Sequence, residues 1–440
     1  MILAMALHAI PQASPIQPGR KSVETIVYTV RRGDTLDRMS RSFLVEERTW
    51  RSLLKLAGIR DPRRLPTGRR LVIPRDWLRY TVEPARLASY RGNVRVAISG
   101  RPVSPTVGMP VIEGTQLATG ANSFVTLILA DRSQIVLPSQ TRVRVRQLRR
   151  ILLTGAVDYR LEVQNGRLET KVTPLDEPSG RYRIETPVSM TAVRGTEFRV
   201  AFTPDATTAA TEVLGGTVAL SDAEDSQPPL RLEPGIGATI DGTGATRTEK
   251  LLPAPDLDNP GQLQTHDNAE FRVRAVPGAA RYRAVIASDA GFVENLAEQI
   301  SADGSFAIAD IPNGNQFVRL SAIAPSGLEG LAQAYSFTRR LASIRASVKA
   351  EDDGYRFRWT GAGGGARRYR FQLMPGAVGA RPIVDQVGLQ EDSVTLRNLA
   401  PGIYHWRVGL LQIDSGESVE TWTDPEKLTI ADASAHRSGP

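Results

Sequence analysis

The residue types that most often perform hydrolysis are scarce in this chain of 440 residues. It has no Cys, which excludes cysteine nucleophiles, thiolate metal sites and disulfides. Its four His lie far apart and form no metal-binding pattern; they are His8, His266, His405 and His436. Carboxylates remain as groups able to transfer protons. The sequence does not indicate that any two of the candidates face one cleft: Glu113, Asp131, Glu162 and Glu197. The sequence therefore predicts a non-enzyme with no metal site and no cofactor.

The elements that could position a binding site begin between residues 26 and 75. Ile26, Tyr28 and Val30 alternate with polar residues and predict a half-buried strand. Apolar residues at helical spacing then indicate two amphipathic helices: Leu36, Met39 and Phe43 in the first, and Trp50, Leu53, Leu54 and Ala57 in the second. A turn at Thr67-Gly68 leads into a second short strand. Two helices are thus expected to cover one small sheet.

This order of residue types resembles a LysM module, a small βααβ fold that binds N-acetylated glycans such as peptidoglycan. Two strings carry the resemblance, Tyr28-Thr-Val-Arg-Arg-Gly-Asp-Thr-Leu36 and Leu65-Pro-Thr-Gly-Arg-Arg-Leu-Val-Ile-Pro74. The resemblance implies a shallow groove between the turn after the first strand and the turn between the second helix and the second strand. Carried over by position, the groove residues are Gly33, Asp34, Thr35, Leu36, Ala57, Gly58, Ile59 and Arg60.

One groove position departs from the family pattern, because many members have Asn where this chain has Ala57. The missing polar side chain bears on affinity and on the choice of glycan. The alternative interpretation is that the module is structural or binds a protein. We favour glycan binding, with peptidoglycan as the expected partner.

The net charge of +8 is concentrated in the same segment. Residues 20–79 contain 16 Lys and Arg against 7 Asp and Glu, a balance of +9, so the remainder of the chain sums to −1. A cationic surface favours approach to the carboxylates of peptidoglycan stems or to anionic lipid, an attraction that salt weakens. No nucleic-acid fold accompanies the charge and aromatic residues are sparse around it, so nucleic acid is not predicted as a partner.

The N-terminal residues 1–25 are expected to be a leader or a disordered segment. The string Met1-Ile-Leu-Ala-Met-Ala-Leu-His-Ala9 resembles the apolar part of a secretory signal, although no Lys or Arg precedes it. Elsewhere no apolar run approaches the roughly 18 residues that a membrane-crossing helix needs. We therefore expect a periplasmic or envelope-associated protein with no transmembrane segment.

From about residue 87 to residue 245 the pattern changes to short β-rich runs broken by turn residues, including a hairpin bend at Asp131-Arg132-Ser133. The strings Ala192-Val-Arg-Gly-Thr-Glu-Phe198 and Val213-Leu-Gly-Gly-Thr-Val218 closely resemble the FecR domain. In the best-studied relatives that domain lies in the periplasm and relays a receptor signal to a sigma factor. Such regulators also carry a cytoplasmic helical region and a transmembrane helix, which the sequence does not show. The resemblance therefore favours an envelope β module over sigma-factor regulation.

Arg194, Gly195 and Thr196 are the most specific part of the FecR motif. They could bind a partner. Alternatively, Arg194 could pair with Glu197 or a buried carbonyl while Gly195 permits close backbone approach. The structural interpretation is the favoured one.

An internal repeat follows a Pro-rich junction at residues 252–260. The segment 311–320 is similar in sequence to the segment 399–408. The offset between them is 88 residues, a length that suits one β-sandwich per copy. Both copies resemble divergent fibronectin type III or Ig-like modules. Five aromatic residues of the second copy predict core packing, with sugar stacking as the weaker alternative: Trp359, Tyr369, Phe371, Tyr404 and Trp406.

The predicted fold is multidomain and mainly β, with a small βααβ LysM module, an all-β FecR-like domain and two β-sandwich modules. The expected ranges are 26–75 for LysM, 87–245 for the FecR-like domain, 252–342 and 343–432 for the sandwiches, and 433–440 for a tail. The expected function is a non-catalytic envelope protein that binds peptidoglycan and presents its β domains to an envelope protein partner, which the sequence does not identify. The alternatives are a sensor of the FecR type acting with a receptor or sigma-factor system, and a glycan-cleaving enzyme without a recognised motif.

Overall fold

A computed structural model describes most of the chain, and strands make up 56% and helices 5% of it. The described residues are 24–61, 63, 65–174, 179–224, 228–258, 260, 263–352, 354–414 and 417–431. The mainly β class predicted from the sequence is confirmed. The expected leader, apart from its last two residues, and the expected tail lie outside the described residues.

The described residues form two compact units, of which the first contains the predicted LysM module. This unit takes in the described parts of Met1–Val82, Arg149–Asp158 and Asp176–Gly180. Its elements are β1 (Thr25–Thr29), α1 (Leu36–Phe43), α2 (Trp50–Ala57), β2 (Arg70–Pro74), a 3₁₀ turn (Arg75–Trp77) and β3 (Tyr80–Val82). Strands β1 and β2 pair antiparallel, which gives the predicted βααβ order.

Local signals set the helix ends of the first unit. The Thr35 hydroxyl accepts a hydrogen bond from the Arg38 amide at 3.2 Å and caps α1. Gly58, with φ of +60°, adopts the left-handed conformation that ends α2, which an L side chain rarely adopts. The apolar stripes of both helices then face β1 and β2, and Leu36, Met39 and Leu53 are each 1% exposed.

The core of the first unit also contains residues that are distant in sequence. Ile151 and Leu153 are buried among the LysM apolar residues, and burying side chains of this size stabilises a fold by about 1.5–3 kcal/mol each. The same segment supplies Asp158, whose carboxylate lies 2.8 Å from the buried guanidinium of Arg75. Residues 149–158 therefore group with the LysM module, so the range 87–245 predicted for the FecR-like domain is interrupted at that point.

The FecR-like region is built from 17 strands of the described chain. They are β4 (Ala85–Arg91), β5 (Val94–Ile98), β6 (Arg101–Val103), β7 (Pro110–Val111), β8 (Gln116–Thr119), β9 (Phe124–Ile128), β10 (Gln134–Leu137), β11 (Arg142–Ile151), β12 (Val157–Lys171), β13 (Arg181–Glu185), β14 (Ser189–Val193), β15 (Glu197–Thr203), β16 (Thr208–Gly215), β17 (Val218–Asp222), β18 (Leu230–Leu232), β19 (Ile236–Ile240) and β20 (Thr246–Lys250). The predicted hairpin bend lies between β9 and β10, where Arg132 has a positive φ.

Antiparallel pairing arranges these strands in two sheets that pack together. One follows the order β7-β4-β9-β10-β12-β15-β16-β19-β20. The other contains β6-β5-β8-β11 and β13-β14-β17-β18. The rings of Tyr182 and Phe198 meet edge to face at 6.4 Å, and the hydroxyl oxygens of Thr191 and Thr211 are 3.1 Å apart. These contacts join the inner faces of the two sheets.

Two further pairs of sheets complete the second unit. Their strands are β21 (Leu263–Gln264), β22 (Ala269–Arg272), β23 (Arg281–Ala287), β24 (Asn295–Ser301), β25 (Ser305–Ile308), β26 (Gly314–Ile323), β27 (Glu329–Arg339), β28 (Ile344–Glu351), β29 (Gly354–Gly361), β30 (Ala366–Pro375), β31 (Val384–Leu389), β32 (Ser393–Arg397), β33 (Gly402–Asp414), β34 (Glu417–Trp422) and β35 (Glu426–Ile430). The first copy pairs β21-β27-β26-β23-β24 and β22-β25, and the second pairs β28-β29-β32 and β31-β30-β33-β34, with β35 on β33.

The five aromatic residues predicted as a core do form one. Their side chains are between 0% and 8% exposed: Trp359, Tyr369, Phe371, Tyr404 and Trp406. Phe357 joins them, with its ring 5.0 Å from that of Trp406. This burial removes them as an aromatic platform for stacking sugars.

Candidate functional site

The first side of the predicted groove is a turn organised by one carboxylate. Asp34 Oδ2 accepts hydrogen bonds from the Tyr28 hydroxyl and from the Arg31 amide, each at 2.7 Å. Burial raises the pKa of Tyr28 to about 12, and the hydrogen bond to Asp34 adds to the shift. Asp34 therefore holds the turn in shape, while Gly33, with φ of +91°, supplies its left-handed corner.

The second side of the groove is the end of α2, and Arg69 ties it to the first. Arg69 Nη2 donates to the Ala57 carbonyl at 2.5 Å. The Arg69 carbonyl accepts from the Val30 amide at 2.9 Å, directly before the first turn. One arginine thus contacts Ala57 on the second side and Val30, which precedes the first turn. Sequence reasoning missed this role, because Arg69 is one of many arginines in its segment.

The eight predicted groove residues divide into two kinds. Gly33, Thr35, Gly58 and Arg60 are exposed, and Asp34 and Ala57 are half-buried. Leu36 and Ile59 are 1% and 8% exposed, and both belong to the core of the first unit. The side chains of Leu36 and Ile59 support the two turns from below. A ligand in this groove would meet their backbone and the exposed surface of the other six.

The FecR motif shows a close backbone approach at its glycine. Gly195 has φ of +65°, and a Cβ atom there would lie 2.8 Å from Pro174 Cα. The neighbouring Thr196 is buried, and its carbonyl accepts a hydrogen bond from the Val172 amide. Arg194 is exposed; within the described residues its guanidinium pairs neither with Glu197 nor with a buried carbonyl. The geometry therefore gives Gly195 and Thr196 a packing role and leaves the Arg194 side chain facing solvent.

Three of the four carboxylates singled out as possible acid/base groups hold the backbone or pair with arginine. Glu113 accepts from the Leu148 amide at 3.0 Å, Asp131 accepts from Ser133, and Glu162 lies 2.8 Å from an Arg146 nitrogen. Glu197 lines a cavity of about 460 Å³ together with Glu169. Within the described residues, no group of three or more metal-ligating side chains is found.

Sequence reasoning missed a buried network of charges in the second unit. Its members are Arg167, Glu169, Arg199, Glu212, Arg283, Glu298, Arg319 and Glu329. Glu329 is central, because its two oxygens lie 2.5 Å from Arg199 Nη1 and 3.3 Å from Arg283 Nη1, and Arg167 also contacts it. The network joins strands of the FecR-like region to β23, β24, β26 and β27 of the first sandwich.

Pairing keeps Glu169 and Arg199 ionised despite their burial. Burial disfavours the charged form of Glu169, but the guanidinium groups of Arg319 and Arg283 outweigh it and hold the pKa of Glu169 well below its usual range. Glu169 is therefore unsuited to donate a proton near neutral pH. Burial lowers the pKa of Arg199 to about 10 against the opposing effect of Glu212, so Arg199 remains protonated at neutral pH.

Comparisons with known proteins define the classes of domain in this chain. Residues 28–74 match the family model of the LysM domain, and residues 115–219 match the family model described as FecR protein. The chain thus carries a LysM domain followed by a FecR domain, and its C-terminal β-rich region is consistent with Ig-like or fibronectin type III repeats. These are binding and signalling domains of a kind typical of envelope proteins. No curated protein matches the chain significantly.

Several solved structures share local similarity with this chain. A candidate anti-sigma factor from Parabacteroides distasonis aligns at 15% identity and a TM-score of 0.26, covering 31% of this chain and 59% of its own. A two-domain fibronectin type III segment of chicken tenascin aligns at 17% identity and a TM-score of 0.21. The alignment covers 42% of this chain and 100% of that segment. The ligand-binding domain of human OSCAR aligns at 18% identity and a TM-score of 0.16. The alignment covers 41% of this chain and 100% of that domain.

In the part of the chain that the structure describes, every helix is too short or too polar to cross a bilayer.

Proposed function

We propose that this protein is a non-catalytic, exported component of the bacterial cell envelope. It binds peptidoglycan through its LysM module and presents its FecR-like and sandwich domains to a protein partner. The observation that carries the proposal is the pair of turns at residues 33–36 and 57–60, which Arg69 holds side by side in a segment that matches the LysM family. Exposed backbone at Gly33 and Gly58 leaves room there for the acetamido groups of a glycan.

Point substitutions test this proposal better than removal of residues 26–75. Ile151 and Leu153 are buried against the LysM residues, so a deletion would expose them and disturb the rest of the chain. Gly33 and Gly58 have positive φ and no atom within 4 Å of an added Cβ. Asn tolerates such backbone better than most residues, so Gly33→Asn with Gly58→Asn places two side chains in the groove at small cost in folding.

The measurement is retention of the full chain on purified insoluble peptidoglycan. The parent chain is expected to sediment with the wall material, and the double variant to lose most of that retention. Gly244→Asn is the matched control, because Gly244 also has a positive φ and open space but lies in the turn between β19 and β20. Equal retention of all three chains, each with an unchanged melting temperature, would refute the proposal. Clearing of peptidoglycan in a zymogram would refute its non-catalytic part.

A second candidate function is favoured by the match of residues 115–219 to the FecR family. We infer that an envelope sensor of the FecR type, acting with a receptor or a sigma-factor system, is the leading alternative. Neighbouring genes that encode a sigma factor and a TonB-type receptor would support it. Deleting the gene for this protein should then alter transcription by that sigma factor, and unchanged transcription would count against a sensor.

A further inference from the structure

The two turns of the groove are flanked by exposed arginines. Arg31 and Arg32 belong to the first turn, and Arg60 and Arg63 follow the second. Within the part of the chain that the structure describes, none of these four guanidinium groups forms an ion pair. Arg31 lies over the Tyr28 ring at 5.9 Å, which leaves its charge available. Four positive groups therefore border the groove.

The carboxylates close to the groove already have partners in the protein. Asp34 accepts from the Tyr28 hydroxyl and the Arg31 amide, and Asp61 accepts from the Arg63 amide at 2.9 Å. These bonds use backbone amides and a neutral hydroxyl, and the four arginines outnumber the two carboxylates, so the groove border keeps a net positive charge. On α1 the arrangement differs, because Arg41 pairs with Asp37 at 3.0 Å. Arg41 is thus paired, whereas among the described residues the four arginines at the groove border are not.

We infer that the groove selects glycan strands whose peptide stems carry ionised carboxylates over uncharged glycans with the same number of sugars. This inference rests on the proposed function, since the glycan must first lie in the groove. A strand held there would place its stems toward one side or the other, within reach of Arg31 and Arg32 or of Arg60 and Arg63. Guanidinium binds carboxylate through two parallel hydrogen bonds, which gives geometric selectivity as well as attraction.

The test compares soluble glycan–peptide strands released from sacculi with the same strands after their carboxylates are converted to amides. Affinity of the full chain is measured at low and at high salt. Native strands should bind about tenfold more tightly than amidated strands at low salt, and the difference should shrink as salt rises. Oligomers of N-acetylglucosamine with matched sugar number should bind like the amidated strands.

A pair of variants assigns the effect to the groove border. Arg31→Gln with Arg63→Gln, two border positions outside the eight groove residues, should weaken binding of native strands about threefold to tenfold and leave amidated strands unaffected. Arg51→Gln with Lys55→Gln removes the same charge from the exposed face of α2 and should leave the preference for native strands intact. Melting temperatures of both variants establish that the module remains folded.

Each remaining outcome has a definite meaning. Equal affinity for native and amidated strands would overturn the inference, as would an equal loss on both strands in the Arg31→Gln, Arg63→Gln variant. If Gly33→Asn with Gly58→Asn still abolished binding in that case, the proposed function would stand. Absence of binding to any strand would overturn both. Binding to phosphatidylglycerol vesicles but not to strands would assign the arginines to a lipid surface and reject the inference.

Discussion

Arginines act in opposite ways in two regions of this protein. Around the LysM turns Arg31, Arg32, Arg60 and Arg63 are exposed and form no ion pair within the described residues. Between the FecR-like strands and the first sandwich the arginines are buried, and each is paired with glutamate. Exposed charges contribute little to folding but remain available for binding, whereas buried pairs hold structure together and are costly to separate.

The largest expected effect comes from breaking the buried network at its centre. Glu329→Gln leaves Arg199, Arg283 and Arg167 without a shared carboxylate, so the free energy of unfolding of the second unit should fall by about 3–5 kcal/mol. Urea unfolding of the full chain measures it. Asp37→Asn, which breaks the exposed pair with Arg41, is the matched control and should cost less than about 0.5 kcal/mol. Similar losses in the two variants would abolish the distinction between the regions.

A smaller effect on stability is expected at the FecR motif, where the closely packed Gly195 and the exposed Arg194 are neighbours. Gly195→Ala forces a side chain into a positive φ and against Pro174, so it should lower the free energy of unfolding by about 2 kcal/mol. Arg194→Ala, at the adjacent exposed position, should leave stability nearly unchanged. Differential scanning calorimetry compares the two. If Arg194→Ala were the more harmful, the FecR motif would depend on its arginine for folding, against the geometry described above.

Acid should weaken the buried network of charges in the second unit. The folded-state pKa of Glu169 and that of Glu298 lie below the usual range, because arginine pairing outweighs burial at both carboxylates. Their contribution is therefore full above the unfolded pKa of about 4.3 and is lost as pH falls toward the folded pKa, by about 1.4 kcal/mol per pH unit for each group. Unfolding free energies between pH 7 and pH 3 measure this. A Glu169→Gln variant should show a shallower decline, and an equal slope would contradict the assignment.

Sequence reasoning succeeded where short-range signals decide the structure. Thr35 and Gly58 mark helix ends, and alternation at Ile26 and Tyr28 marks a strand, so the βααβ order could be predicted. The aromatic core around Trp406 followed from strand alternation in the same way. Each of these features depends on neighbours within a few residues.

Contacts between distant residues explain what was missed. Arg199 stands opposite Glu212 on β16 and opposite Glu169 on β12, and only the strand register reveals that row of charges. Ile151 and Leu153 have the sequence pattern of ordinary strand residues. They nevertheless complete a hydrophobic core whose other members lie more than 70 positions earlier in the chain. At the groove, Arg69 has the same residue type as its neighbours, and its contact with Ala57 spans 12 residues.

Hydrogen–deuterium exchange tests most directly whether peptidoglycan binds in the LysM groove. Exchange of the full chain is measured with and without soluble peptidoglycan fragments. We predict slower exchange of the backbone amides in residues 33–36 and 57–60 when the fragments are present, and unchanged exchange at Arg194 and Thr196. Protection confined to the FecR-like or sandwich strands, or no protection at saturating fragment, would contradict the assignment of the groove.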